Sequence, residues 1–343
     1  MSAPFTNFNL PGNHLRISHS SRSVLNNCKR KFYFRKFFPE PIQDIEGSLK
    51  AELGKALHTG YQHFLSTSSD LPMDERIEAS VWEYMKKYPI HMCQSPNDAA
   101  SLETGYAVLM EMISSNSMIG YELAKIKCLD GEERYAIEVP FEIILEGYQL
   151  PGGITVSITG FIDAIFYNAK EDLYHVLDIK TSGRNARDGD FSPLYQFNEQ
   201  CVSYGFVLEY LRGRAIENFK VMYLHCKVDM KEPKALLYEF DKGPQDVQNW
   251  YNSLLVDLMN IRTFLEMNWF PRDATGNTCF AYGSRCPYYE VCEYDDLDVI
   301  AKIFEADTGV NLLKDEATES KTEGLIKEFK PWIKFAIEMP GVK

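Results

Sequence analysis

Apolar and polar positions alternate with a period near two over the middle of the chain and near 3.6 on either side of it. Tyr135–Leu145 (YAIEVPFEIIL) alternates, and Pro140 marks it as an edge or bulged strand. Two further β-branched and aromatic arms follow, one carrying Gly160-Phe161-Ile162-Asp163 and the other ending in Asp178-Ile179-Lys180-Thr181. Between them Asn168-Ala169-Lys170-Glu171-Asp172 supplies the residues that strands disfavour, so the pair reads as a hairpin. Helical spacing predicts helices through Leu53, Leu57, Tyr61 and Phe64, through Ile77, Val81, Tyr84 and Met85, and through Leu102, Tyr106, Leu109 and Met112. After a polar loop, Ser182–Phe191, Ser192-Pro193 opens another helix with Phe197, Cys201, Tyr204, Leu208 and Leu211 as its buried stripe. Strands at Phe219–Lys227 and Ala235–Phe240 and a long helix over Pro244–Asn268 complete the regular pattern. Residues 295–343 read as an acidic, helix-forming tail, in which Leu325, Ile326, Phe329, Trp332 and Ile333 could dock on this chain or on another protein.

Chemistry concentrates at the hairpin. Side chains two apart on a strand share a face, so Asp178 and Lys180 project together and Ile179 goes to the other side. Pairing of the two arms brings Asp163 beside them. Two carboxylates and a lysine at the edge of an apolar sheet suit a divalent cation, although a D-x-K at a strand end also makes an ordinary surface ion pair. One turn apart on the following helix, Gln200 and Tyr204 can reach a common target. His58 adjoins an apolar helical stripe, where a histidine is commonly a satisfied core residue.

A second signal is Cys279-(x6)-Cys286-(x5)-Cys292, three cysteines in a loop bearing glycine, proline and tyrosine. Thiolates gathered this way suit zinc or an iron–sulfur cluster, and Cys28 is the candidate fourth ligand. Cys93, Cys128, Cys201 and Cys226 lie among apolar neighbours and are expected in the core. Directly after Cys28, Lys29–Lys36 interleaves basic residues with aromatics. Arg30, Lys31, Arg35 and Lys36 read either as a phosphate-tracking surface or as the outer face of a helix packed through its rings.

Length and charge add bounds. The 343 residues allow two domains or one large one with insertions, and the formal charge of -13 speaks against a general nucleic-acid coat protein without excluding one basic groove around an acidic site. No apolar run approaches the roughly 18 residues of a membrane span, and the first residues lack a signal-peptide pattern. A soluble, cytoplasmic protein, in a bacterium or a phage-infected cell, is the expectation. The eight cysteines are then thiols or metal ligands. No G-x-x-x-x-G-K-[ST] occurs, so the chain is not expected to be an ATP motor.

Together these stretches resemble the PD-(D/E)XK nuclease superfamily, in particular its RecB/AddB-like branch with a [4Fe–4S] cluster, which includes CRISPR-associated RecB-like and phage exonucleases. The residues carrying the resemblance are Gly54-x-x-x-His58, Gly160-x-x-Asp163, Asp178-x-Lys180-Thr181, Gln200-x-x-x-Tyr204, and Cys28 with Cys279, Cys286 and Cys292. They span roughly residues 18–293. The resemblance implies an α/β restriction-endonuclease-like core, a mixed central sheet flanked by helices, over residues 1–295. It adds a helical insertion near 72–128, an iron–sulfur subdomain from 18–40 and 270–295, and a tail at 296–343. It implies Mg²⁺ or Mn²⁺ held by His58, Asp163, Asp178 and the Ile179 carbonyl, with Lys180 orienting or deprotonating water, Gln200 and Tyr204 positioning the backbone, and Glu138 as an outer acid. The expected activity is a DNA exonuclease of recombination, repair or phage DNA processing. Alternatives are a structure-specific or single-strand endonuclease, or a DNA-end-binding assembly subunit with a protein partner on the tail. Structural zinc is the alternative to the iron–sulfur cluster.

Overall fold

The computed structural model describes residues 13–37, 49–92, 100–115, 121–182, 192–294 apart from 214, 216, 230 and 284, and 330–339, with isolated positions 299 and 302. In chain order the strands are β1 (His14–Ile17), β2 (Glu122–Leu123), β3 (Lys125–Lys127), β4 (Glu133–Tyr135), β5 (Ile137–Leu150), β6 (Ile154–Asn168), β7 (Leu173–Ser182), β8 (Phe219–Lys227), β9 (Lys234–Lys242) and β10 (Ile333–Glu338). The helices are α1 (His19–Asn27), α2 (Lys29–Phe37), α3 (Leu49–Ser66), α4 (Met73–Lys87), α5 (Leu102–Ser114), α6 (Ser192–Gln196), α7 (Glu199–Val202), α8 (Gly205–Arg212), α9 (Pro244–Glu266) and α10 (Tyr289–Cys292). The chain divides into two compact units, residues 1–46, 142–160 and 252–343 in one and residues 47–141 and 161–251 in the other.

The second unit holds a mixed sheet. β7 pairs antiparallel with β6 from Ala164↔Leu177 to Asn168↔Leu173, parallel with β8, and β9 returns antiparallel on β8. On the other side of β6, β2 pairs antiparallel through Glu122↔Tyr167 and Leu123↔Phe166. A parallel pair needs a crossover, and α6–α8 provide it between β7 and β8. β8 is buried along nearly its whole length, as expected for a central strand covered on both faces. On one face Leu177, Ile179, Met222 and Leu224 pack with Leu53, Leu57, Tyr84, Leu109 and Met112 of α3–α5. The helices expected as an insertion therefore complete the core of this sheet. Glycine permits their close approach: a Cβ on Gly105 would stand 2.0 Å from the Tyr84 hydroxyl oxygen. On the opposite face Tyr195 of α6 stacks on Tyr223 of β8, ring centroids 4.6 Å apart.

In the first unit β1 runs parallel to the first half of β6, from His14↔Thr155 to Ile17↔Ile158. Buried Glu142 on β5 accepts from Ser157 at 2.8 Å and Arg16 at 3.1 Å and faces Lys334 of β10 at 3.2 Å. Arg22 of α1 and Asp257 of α9 form a buried ion pair at 2.6 Å. The rings of Tyr33, Phe37, Phe264 and Phe270 pack together beneath α2.

Two sequence expectations change here. The helix expected from Ser192 through Leu211 is broken into α6, α7 and α8. The Asn198 side chain accepts from the Gln200 N–H and caps a fresh helical start, which throws Phe197 out of the supposed stripe. In the tail, Ile333–Glu338 is a strand, because Ile333, Phe335 and Ile337 alternate with Lys334, Ala336 and Glu338. Leu325, Ile326 and Phe329 lie outside the described residues, as do most of the loop 182–191 and Cys93. Cys128, Cys201 and Cys226 are buried as expected.

Candidate active site and cysteine pocket

The hairpin β6–β7 positions the acidic residues. The Ile179 N–H donates to Asp163 Oδ2 at 2.7 Å, so Asp163 is fastened beside the segment bearing Asp178 and Lys180. His58 is brought there by α3. A Cβ on Gly54 would meet Thr181 Oγ1 at 2.9 Å, so the missing side chain lets the helix lie against β7. One turn further along, His58 Nδ1 stands 3.7 Å from Asp163 Oδ2, and the His58 ring hydrogen-bonds to the Ile179 backbone. The Gly-x-x-x-His spacing is thus a packing device that aims a ring.

Glu138 completes the group. His58, Glu138 and Asp163 each offer a ligand atom, all within 4.8 Å of one another. Gln62 of α3 fixes Glu138 by donating to Oε1 at 2.6 Å. Glu138 adopts a left-handed backbone, φ 47°, which a residue with a side chain takes at a cost of roughly 1–2 kcal/mol. Strand periodicity carries no sign of that kink. The neighbouring Pro140 was the only local hint that β5 departs from regular geometry here.

Asp178 lies just behind this trio. It is 2 % exposed, pairs with Lys180 Nζ at 2.8 Å through Oδ2 and accepts from Gln200 Nε2 at 2.8 Å through Oδ1. Lys180 also donates to Gln200 Oε1 at 2.8 Å. Gln200 Nε2 lies 3.3 Å from the Tyr204 hydroxyl, which donates to the Phe161 carbonyl at 3.0 Å. Asp178, Lys180, Gln200 and Tyr204 are therefore one connected network, and the Ile179 N–H holds Asp163 beside it.

The electrostatics favour a cation. Burial pushes Asp163 up to about 7, against the Ile179 N–H, and the Glu138 charge adds to the rise. Burial likewise pushes Asp178 up to about 6, partly offset by Lys180. Burial lowers the His58 pKa, keeping the ring neutral and able to donate a lone pair to a metal. Burial works against the Lys180 ammonium, yet Asp178 outweighs it and the pKa lies above that of ordinary lysine. Two carboxylates held above their usual range, a third beside them and a neutral imidazole are a hard oxygen-and-nitrogen donor set short of positive charge. It fits a divalent ion.

The four cysteines lie in the first unit. Cys28 precedes α2, Cys279 lies in a 3₁₀ segment (Asn277–Gly283), Cys286 follows it, and Cys292 ends α10. Together they line a cavity of about 150 Å³ with Lys31, Phe34 and Tyr288. The Cys286 N–H donates to the Cys279 carbonyl at 2.7 Å, and the Lys31 N–H points to Cys28 Sγ at 3.5 Å. Burial raises Cys279 and Cys292, and the neighbouring thiols add to the rise. Among the described residues no three of these sulfurs come within 4.8 Å of one another.

The basic segment is corrected in part. Arg30 is 1 % exposed, its charge bears on Cys292, and its backbone N–H donates to the Pro271 carbonyl, so it does not track phosphates at the surface. The α2 rings take the core, and alternate helical positions carry Arg30 inward with them. Lys31 turns to the cysteine cavity, Lys36 donates to the Arg16 carbonyl at 2.7 Å, and Arg35 is exposed.

A mixed sheet flanked by helices, with a carboxylate–lysine network and a cation-fitting donor group, defines the restriction-endonuclease-like class of nucleases. The chain belongs to the PD-(D/E)XK nuclease superfamily, whose sequence profile matches residues 16–293. No curated protein matches it. Among solved structures it is similar to a "Putative exonuclease" from Eubacterium rectale, with 13 % identity, 77 % of this chain and 85 % of that chain covered, and a TM-score of 0.40. It is also similar to a protein described as SSO0001, with 15 % identity, coverage of 62 % and 84 %, and a TM-score of 0.25.

Proposed function

We propose that the chain is a Mg²⁺- or Mn²⁺-dependent deoxyribonuclease acting from DNA ends, an exonuclease of recombination, repair or phage DNA processing. The observation that carries this reading is the Lys180–Gln200–Asp178 network abutting His58, Glu138 and Asp163. His58, Glu138 and Asp163 would hold the ion, with Asp178 and the Ile179 carbonyl adjoining. A bound ion there supplies Lewis acidity toward a phosphate oxygen. Lys180, whose pKa Asp178 raises in the metal-free site, would orient the attacking water or take its proton and offset charge growing on the phosphate. Gln200 holds that ammonium in place from one side and Asp178 from the other. Tyr204 ties Gln200 to the β6 backbone and so fixes the distance between the lysine and the acidic group.

The same reading assigns Cys28, Cys279, Cys286 and Cys292 to a structural [4Fe–4S] cluster. Four thiols lining one cavity are the donor set such a cluster takes, and structural zinc is the alternative occupant of the same thiols. The deciding experiment incubates anaerobically prepared protein with end-labelled single- and double-stranded DNA in Mg²⁺ or Mn²⁺, beside Lys180→Ala. Mononucleotide or short products from the unmodified chain and not from the variant support the exonuclease. Uncut DNA that remains bound in both metals would replace it with a DNA-end-binding subunit.

A further inference from the structure

A second cavity lies in the unit that holds the acidic group, along the same helix. On α3, His58, Tyr61 and Leu65 recur at helical spacing and share a face. His58 joins Glu138 and Asp163, while Tyr61 and Leu65, with Phe64, wall a cavity of about 600 Å³. From His58 to Leu65 the helix advances roughly 10 Å along its axis. Residues of β2–β4 supply more of the wall, among them Tyr135, a short step before Glu138 in the chain.

Two cations line this cavity, and each lies on a ring. The Arg76 guanidinium stands 4.4 Å from the Phe64 ring centroid and donates from Nη2 to the Phe64 carbonyl at 3.1 Å. Arg76 Nε is shut off from water and makes no hydrogen bond among the described residues. Lys125 Nζ stands 5.4 Å from the Tyr135 ring centroid. Among the described residues no carboxylate forms an ion pair with either cation. The carboxylates lining the same cavity are Asp70, which accepts from the Ser68 hydroxyl at 3.2 Å, and Glu122, exposed on β2.

Both signs of charge beside aromatic surface restrict the ligand. A bare inorganic anion meets Asp70 and Glu122 as well as Arg76 and Lys125, and it gains nothing from the rings. A flat ring bearing N–H donors can satisfy the carboxylates and stack, while a phosphate attached to it takes the two cations. A nucleotide has both parts, and about 600 Å³ is within the range of small-molecule sites.

We propose that the cavity bearing Arg76 and Lys125 is a nucleotide-binding site separate from the metal-ligating group. The choice of a nucleotide among ring-bearing anions rests on the nuclease reading above. The cavity and its two cations do not depend on it.

The test titrates the full chain, prepared anaerobically and held in EDTA, with deoxyadenosine monophosphate, deoxyadenosine and inorganic phosphate in a calorimeter. The nucleotide should bind at least tenfold more tightly than either half. Arg76→Gln and Lys125→Gln should each weaken it about tenfold, as for loss of one charge-assisted contact, and Lys180→Ala should bind it like the parent. Lys125 is exposed, so its variant separates lost binding from a misfolded chain. No binding, equal affinity in the parent and both variants, or phosphate binding as tightly as the nucleotide would overturn the proposal. So would a loss in Lys180→Ala matching that in Arg76→Gln, which would move the nucleotide to the hairpin. An added oligonucleotide then distinguishes the sources of the bound nucleotide. Displacement means that a substrate strand reaches the cavity, and joint binding means that a free nucleotide occupies it. The nuclease reading fails separately, if the chain cuts no DNA in Mg²⁺ or Mn²⁺ while nucleotide binding persists.

Discussion

The hairpin site and the cysteine pocket solve the same problem, gathering metal-ligating side chains, by opposite means. At the hairpin, Asp163 and Asp178 lie close in sequence and meet through a local antiparallel pairing, while His58 and Glu138 are fixed by Gly54 and Gln62. The donors are hard and short of positive charge, with Asp178 buried behind a half-exposed group. At the pocket, Cys28 meets Cys279 only after about 250 residues of chain have folded, and the donors are soft thiols around a cavity. The first arrangement stores electrostatic stress for chemistry. The second closes a long loop, so the proposed cluster would act on the stability of the chain.

That contrast predicts its largest effect at the pocket. Closing a loop of this length is worth on the order of 5 kcal/mol by polymer scaling. Cys28→Ala should abolish iron content and lower the melting temperature by many degrees, while Lys180→Ala should leave the iron content unchanged. Full metal content at an unchanged melting temperature in Cys28→Ala would erase the distinction between the two regions.

The next effect is catalytic. Lys180→Ala should reduce cleavage about 10²–10³-fold, the range for losing one preorganised charge-stabilising donor. Gln200→Ala, which frees both the ammonium and Asp178, should fall below the parent by a smaller factor. Single-turnover rates at saturating metal would show the order, and a Gln200→Ala defect exceeding that of Lys180→Ala would contradict the network as drawn.

A subtler effect comes from packing. Gly54→Ala places a methyl against Thr181 Oγ1 and should move α3, and His58 with it, away from β7. Mn²⁺ affinity should drop several-fold with little change in melting temperature. Thr181→Ala, which removes the opposing atom, should restore it in the double variant, a coupling expected only of residues in contact. Absence of that rescue would mean that Gly54 serves the helix for another reason.

What the sequence made legible follows the range of the interactions. The β6–β7 hairpin, the shared face of Asp178 and Lys180, and the Gln200–Tyr204 pairing depend on local periodicity, and the turn Asn168–Asp172 appears where its residues demand it. Two errors came from reading period alone. Phe197 fell on a helical stripe, but a single capping hydrogen bond from Gln200 to Asn198 restarted the helix and exposed the ring. Arg30 looked like a surface cation, but four aromatic neighbours on α2 claimed the core and took it inside. Glu138, an outer acid by the resemblance, groups with His58 and Asp163 from a left-handed backbone position that leaves no trace in hydrophobic pattern.

The smallest effect separates a charge-starved site from an ordinary acidic surface. In the metal-free chain the folded-state pKa of Asp163 is raised from 3.8 to about 7, so the folded state holds the proton more tightly than the unfolded state does. Stability from this group is therefore present at low pH and is lost as pH rises from about 4 through about 7. His58, whose pKa is lowered by burial, works in the opposite sense below about 6.5, and Glu138, Asp178 and Lys180 share the field, so the whole-protein curve mixes these terms. Asp163→Asn isolates the one carboxylate. Without metal, it should raise the melting temperature more at a pH of about 8 than at about 5, and saturating Mn²⁺ should reverse the advantage at the higher pH by favouring the ionised parent. An Asp163→Asn difference that does not vary with pH would place this carboxylate in its usual range and remove the electrostatic ground for assigning the cation to the hairpin.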